Sequence, residues 1–192
     1  MGRIIVLIST TPDGFADSRN VIIEPDFFEF THSLLSHSDA VVFGRKTFEQ
    51  FQDRWIERLQ DETSPDWIKK MAQSLHDIQK IVFSSTLKTT RWNNSTIATE
   101  LDIAYIKSFK KEHKGGLLTF GSLSIIESLI QMNVVDDYYF NIQPIIPGKG
   151  EARFFNSLNL DKPCSLKYVA YRELSSGAHI IHYQNADSIQ NI

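Results

Sequence analysis

The chain has 192 residues, 42% hydrophobic and 22% charged, with a formal net charge of −3. That length suits one domain with a core large enough to stand without staples. So small a charge gives no basic face of the kind nucleic acid requires, and a single cysteine, Cys164, excludes an internal disulfide.

Residues 4–9 form a short, β-branched apolar run ended by Thr-Thr-Pro-Asp-Gly, the pattern of a buried strand. The run is too short for a signal-peptide core or a membrane span, which makes the cytoplasm the expected compartment. Pro25-Asp26 opens a helix whose Phe27, Phe30, Leu34 and Leu35 recur at helical spacing, with Asp26 placed to cap its first turn. Residues 40–43 read as a strand ending at Gly44, and 46–51 as the start of a second helix. Ser64-Pro65-Asp66 is a helix start with a capping hydroxyl, followed by a stripe of Trp67, Ile68, Met71, Ala72 and Leu75. Strands follow at 81–83 and 96–98, then a helix over 102–112 stopped by Gly115-Gly116. Residues 107–114 mix lysines with Glu112 and read as a solvated helix face.

Residues 117–120 make a strand and Gly121-Ser122 a turn. The helix over 124–132 has Ser124 and Glu127 spaced as a capping box. A long strand is expected over 138–146, then a hairpin of 166–174 and 178–184 turned at Ser175-Ser176-Gly177. Strands alternating with helices imply an α/β fold with a mostly parallel sheet covered on both faces, closed by an antiparallel hairpin. Residues 1–185 are expected to form one domain and 186–192 a polar tail.

In such sheets ligands bind at the carboxyl ends of the strands, and three strand ends here carry suitable residues. After the second strand, Gly44 permits close backbone approach, and Arg45, Lys46 and Thr47 add charge and a hydroxyl at a helix N-terminus. Ser84, Ser85 and Thr86, with Lys88 nearby, suit a phosphate, although such clusters also simply terminate strands. Thr119, Phe120, Gly121, Ser122, Leu123 and Ser124 make a strand–turn–helix that could cradle a pyrophosphate. It is neither GxGxxG nor a nucleotide P-loop.

In order, these segments resemble the dihydrofolate reductase superfamily. Phe43-Gly44-Arg45-Lys46-Thr47-Phe48-Glu49 is similar to its Gly-Arg-x-Thr-aromatic-Glu signature. Val135-Asp136-Asp137, followed by Gln143-Pro144-Ile145-Ile146-Pro147-Gly148-Lys149-Gly150, resembles the riboflavin-biosynthesis reductase domain, the C-terminal half of a bifunctional deaminase-reductase. Ser9-Thr10-Thr11-Pro12-Asp13-Gly14-Phe15-Ala16-Asp17 is similar to the N-terminal motif of that family. No zinc-deaminase motif is present, Gly121-Ser122 stands where dihydrofolate reductase has paired glycines, and the N-terminal loop has no tryptophan. The stand-alone riboflavin-reductase-like branch therefore fits best.

The resemblance implies a dihydrofolate-reductase-like three-layer fold and NADPH as cofactor. Gly44–Thr47 and Gly121–Ser124 would contact the pyrophosphate, and Ser84, Ser85 and Thr86 the 2′-phosphate. The nicotinamide would lie against the first strand and the Thr119–Gly121 turn. Hydride would pass to a small heterocyclic or ribosylamino-pyrimidine substrate. Asp26 is the first candidate proton donor and Asp13 the second, each with a competing structural role as helix cap or turn former. Phe15 and Phe30 would wall a flat heterocycle, and Lys149 and Arg153 would hold a substrate phosphate. A pterin-type reductase and a non-catalytic NADPH-binding protein are the alternatives. The resemblance also implies a homodimer, to which the Tyr138-Tyr139-Phe140 strand could contribute. No metal site is expected: His179 and His182 would face opposite sides of a strand, and His32 and His37 are splayed on a helix.

Overall fold

A computed structural model describes residues 1–187. In chain order its elements are β1 (Arg3–Thr10), a 3-10 turn (Ser18–Asn20), α1 (Pro25–Ser36), β2 (Ser38–Gly44), α2 (Arg45–Gln60) and α3 (Asp66–Asp77). Then come β3 (Gln79–Phe83), β4 (Ser95–Ala98), α4 (Ile103–Glu112), β5 (Gly116–Phe120) and α5 (Leu123–Gln131), and finally β6 (Asp137–Ile142), β7 (Leu166–Glu173) and β8 (His179–Asn185). Of the expected polar tail, Ala186 and Asp187 form a turn, and the remaining residues lie outside the described chain.

These elements group into two compact units, one of residues 1–2 and 25–118, the other of 3–24 and 119 onward. In the first, β2, β3 and β4 pair parallel, and β2 also pairs parallel with the start of β5. Ala40, Val41, Val42 and Phe43 have no exposed surface, which is why β2 reads as continuous apolar sequence rather than alternating. Lys80 on β3 is also wholly buried. Its ammonium donates to the carbonyls of Leu75 (2.6 Å), His76 (2.9 Å) and Ile78 (2.7 Å), capping the C-terminal end of α3. It lies 4.9 Å from the Trp92 ring centre. Burial pushes its pKa down to about 8, while the carbonyls and the ring face favour the cation.

In the second unit β1 pairs parallel with β6, β6 antiparallel with β8, and β8 antiparallel with β7. β6 is thus hydrogen-bonded on both sides and has no edge to offer a partner, and Tyr138 is buried. Asp137 ties this unit together. It accepts from Arg3 Nε at 2.6 Å, lies 2.9 Å from His182 Nε2, and accepts from Gln184 at 3.3 Å. Burial alone would raise its pKa, but Arg3 and His182 outweigh it and hold the carboxyl below its ordinary range.

Several local expectations differ from the structure. Ser64 does not cap α3; its hydroxyl donates to Asp61 at 2.8 Å, and that of Thr63 donates to Asp61 at 2.6 Å. These bonds pull the Asp61 pKa down to about 2. The Ser124–Glu127 capping box is absent, because α5 begins one residue earlier with Ser122 at the cap. The last strand before the hairpin ends at Ile142 rather than 146, since Pro144 has no N–H to continue the ladder. Helix α4 ends at Glu112 as expected, but His113 rather than a glycine stands at its cap. Gly115 is needed instead because a Cβ there would lie 2.7 Å from the Asp39 carboxylate that accepts its N–H. On α1 the buried ring beside Phe27 is Phe28, and Phe30 is only half-buried.

A folded pKa below the unfolded value of about 3.9 means that Asp137 contributes stability fully above that pH. The contribution is lost as pH falls through the folded value. Asp137→Asn should therefore cost roughly 2 kcal/mol at neutral pH. In urea unfolding, the gap from the parent protein should narrow as pH falls below about 4 toward the folded value.

Candidate active site

The loop after β1 and the glycine-containing loop after β6 are stitched together by backbone and by two carboxylates. Ala16 N donates to Ala152 O at 2.7 Å, Phe154 N to Gly14 O at 3.2 Å, and Phe15 bridges Arg153. Asp13 accepts from the Thr11 hydroxyl at 2.6 Å and from Gly148 N at 2.9 Å. Those bonds, the Thr11 hydroxyl foremost, hold its pKa below the ordinary carboxylate value. Asp17 accepts from Glu151 N at 3.0 Å and Ala152 N at 3.4 Å. A Cβ on Gly150 would collide with the Asp17 carboxylate and come within 2.5 Å of the Phe15 ring. Only glycine lets the loop approach so closely.

Against this pair of loops lies a cleft of about 670 Å³ lined by Phe15, Leu123, Ser124, Glu127, Gly148, Lys149, Gly150, Glu151, Ala152, Arg153, Asn156 and Ser157. It gathers two expected cofactor residues, Leu123 and Ser124, with three expected substrate residues, Phe15, Lys149 and Arg153. The Arg153 guanidinium carbon sits 4.9 Å from the Phe15 ring centre, a stacked cation at the cleft wall. The first turn of α5 presents backbone amides and a positive dipole end to the same space. Gly121 enters that turn at φ +72°, a conformation that favours glycine. Asp13 does not line the cleft. Asp17 and Glu127, absent from the expected set, support it; Glu127 accepts from Ser157 N at 3.4 Å. Asp17 could have been suspected from the Asp-Gly-Phe-Ala-Asp motif, but Glu127 had no signal beyond helix spacing.

Further buried polar atoms stand at the strand ends of this unit. Asn141 on β6 donates to Ser9 Oγ at 3.1 Å, and Gln143 Oε1 accepts from Ile22 N at 2.9 Å. Asn141 Oδ1, Gln143 Nε2 and Thr119 Oγ1 are buried without a hydrogen-bond partner.

In the first unit, Gly44 caps α2 in extended backbone, φ −81° and ψ 160°, leaving the first-turn amides of Arg45, Lys46 and Thr47 at the helix end. Arg45 pairs with Glu49 at 3.1 Å. After β3, Ser84 Oγ accepts from Thr86 N (3.2 Å) and Leu87 N (2.9 Å), closing a turn, and Lys88 donates to Ser85 O at 3.4 Å. Asp26 lies in the first turn of α1, beside a depression of about 380 Å³ lined by Phe28, Trp67 and Met71 among others. Phe30 is not part of that lining. Among the described residues, no group of three or more His, Cys, Asp or Glu side chains is placed to hold a metal ion, and no helix is long and apolar enough to cross a membrane.

Among the described residues, eight strands and five helices, parallel pairing within each unit finished by an antiparallel hairpin, and glycine turns at strand ends define a dihydrofolate-reductase-like α/β fold. Dihydrofolate reductase from Enterococcus faecalis, complexed with NADP(H) and RAB-propyl, superposes with a TM-score of 0.63 at 15% identity, over 97% of this chain and 98% of that one. The diaminohydroxyphosphoribosylaminopyrimidine deaminase/5-amino-6-(5-phosphoribosylamino)uracil reductase of Thermotoga maritima gives a TM-score of 0.68 at 15% identity, over 96% of this chain and 57% of that one. YyaP of Bacillus subtilis (strain 168), an uncharacterized protein, is 28% identical over 189 residues, 95% of each chain. The RibD C-terminal domain model matches residues 3–180, and the chain belongs to that family.

The two glycines of the loop should respond differently to alanine. Gly148→Ala, at φ +69° with nothing near the added Cβ, should lose only about 1–2 kcal/mol of stability, to backbone strain alone. Gly150→Ala should lose more than that in the same denaturant titration, because Asp17 and Phe15 must give way.

Proposed function

We propose that this protein is an NADPH-dependent reductase that delivers hydride to a small heterocyclic substrate of the ribosylamino-pyrimidine type, as in riboflavin biosynthesis. The observation that carries the reading is the cleft, where the α5 N-terminus, Lys149 and Arg153 converge beside the Phe15 ring. Cationic side chains and free amides suit phosphate oxygens, and a ring wall suits a flat base. The family and the NADP(H) complex of a protein of the same fold favour this cofactor.

In this reading Gly121, Ser122, Leu123 and Ser124, with Gly44, Arg45, Lys46 and Thr47, hold the pyrophosphate. Ser84, Ser85 and Thr86 take the 2′-phosphate, and Thr119 and Phe120 back the nicotinamide. The bound cofactor would supply hydride; the chain itself supplies alignment, water exclusion and a proton for the atom that gains charge. We assign the proton to Asp26, because Asp13 is held as a carboxylate by the loop it braces. Phe30 and Phe15 wall the heterocycle, and Lys149 and Arg153 hold the substrate phosphate. The cytoplasm, where NADPH is available, is the compartment this activity requires.

The test is calorimetric titration with NADPH, NADP⁺ and NADH, followed by turnover with pyrimidine and pterin acceptors. The phosphorylated cofactors should bind at least about tenfold tighter than NADH, a difference of about 1.4 kcal/mol. Asp26→Asn should lower kcat by about 10²–10⁴ with cofactor affinity unchanged. A protein that binds none of the three nucleotides is not a reductase of this kind, and binding without turnover on any acceptor would mark a nucleotide-binding protein.

We also propose a homodimer formed through β7. All eight residues of this edge strand are exposed, Tyr168 to 55% and Tyr171 to 66%, and long exposed edges pair readily. Two copies set antiparallel about Ala170 place Lys167 opposite Glu173 and Tyr168 opposite Arg172, twice each, so the strand complements itself in charge. Sedimentation should give a dimer for the parent protein and a monomer for Tyr171→Asp; a monomeric parent protein would remove the proposal.

A further inference from the structure

Resting on the reductase reading, we propose that Asn141 and Gln143 recognise an amide edge of the bound ligand, a carbonyl next to an N–H. Both side chains are buried, at 0% and 1% exposure. Gln143 N continues the β1–β6 ladder by donating to Thr10 O at 2.8 Å, so the two side chains, two residues apart, project from one face. The backbone N–H of Ile22 can only donate, and it occupies Gln143 Oε1. That fixes the amide and leaves Nε2 as a buried donor with no partner. Asn141 spends its own donor on Ser9 Oγ and keeps Oδ1 as a buried acceptor with no partner.

Each such orphaned atom costs roughly 1–3 kcal/mol when it stays unpaired. The bonds to Ile22 and Ser9 account for one end of each amide, and the opposite ends have no use within the ligand-free fold. One free donor and one free acceptor on the same face match a group that offers one acceptor and one donor side by side. A nicotinamide carboxamide and a pyrimidinone ring share that chemistry.

The experiment uses the full chain with Asn141→Leu, which removes the acceptor and with it the bond to Ser9 at similar volume, and Gln143→Glu, which keeps the acceptor for Ile22 and removes the amide donor. Calorimetry is run with NADPH, with 2′-phospho-ADP-ribose, which lacks the nicotinamide, and with uracil in the presence and absence of NADP⁺. Each variant should lose at least about tenfold in affinity for NADPH or for uracil. Binding of 2′-phospho-ADP-ribose should be unchanged, and the ligand-free melting temperature of Asn141→Leu should not fall. Loss confined to NADPH assigns the edge to the cofactor, and loss confined to uracil assigns it to the substrate. Variants that bind both amide ligands as the parent does, or an Asn141→Leu that melts lower with binding intact, overturn the proposal. A parent protein that binds neither NADPH nor 2′-phospho-ADP-ribose overturns the reductase reading; the uracil titrations then decide the amide pair alone, and no uracil binding overturns it too.

Discussion

Everything at the cleft depends on the register in which β1 lies parallel to β6. One end of that pair is set by neighbouring acids: Asp136 accepts from Ile4 N at 2.7 Å, and Asp137 accepts from Arg3 at 2.6 Å. With that end set, Ser9 falls opposite Asn141 and Thr10 opposite Ile142. The loops that follow the two strands then leave at the same level and can be stitched to each other. A one-residue slip would turn every side chain of β6 to the other face, moving Asp137 away from Arg3 and Asn141 away from Ser9.

Aspartates do much of the positioning in this unit, and they do it as backbone acceptors. Asp13 and Asp17 take amide hydrogens from Gly148, Glu151 and Ala152, while Asp136 takes one from Ile4. At Asp13 these bonds stabilise the charged form and make the group a poor source of protons. Carboxylates near a cleft therefore divide into those that shape it and those left for chemistry. Asp13 belongs to the first group by its hydrogen bonds. The glycines are the counterpart, since each carboxylate needs a backbone without a side chain in its path, as at Gly150 and Gly115.

The sequence carried the fold well because its signals were local. Buried parallel strands such as β2 are continuous apolar runs, and turns marked by Gly-Ser or Pro-Asp-Gly stand where the chain turns. It misled wherever a residue type has two local uses. Ser64 looks like a cap but serves Asp61, and Ser124 with Glu127 has capping-box spacing although α5 starts earlier. Phe28 and Phe30 are both aromatic on one helix, and only packing against Trp55 and Trp67 selects Phe28 for the interior. At the cleft, Phe15, Leu123, Ser124, Lys149 and Arg153 were legible because they sit in motifs. Away from the cleft lining, Asn141 carried no pattern, and Gln143 opened a motif without showing which of its amide atoms is occupied, since that depends on partners brought in by folding.

By itself the sequence determined the order and kind of the elements, the turn positions and the family signature, all of which depend on residues near one another in the chain. The tertiary structure decided which polar groups are satisfied. Asp13 reaches Gly148 and Asp17 reaches Glu151 across more than a hundred residues, and Gln143 is oriented by Ile22. Hydrogen bonding is directional and short-ranged, so whether a buried amide or carboxylate is occupied or free depends on atoms brought within about 3 Å by folding. No spacing along the chain encodes that distance.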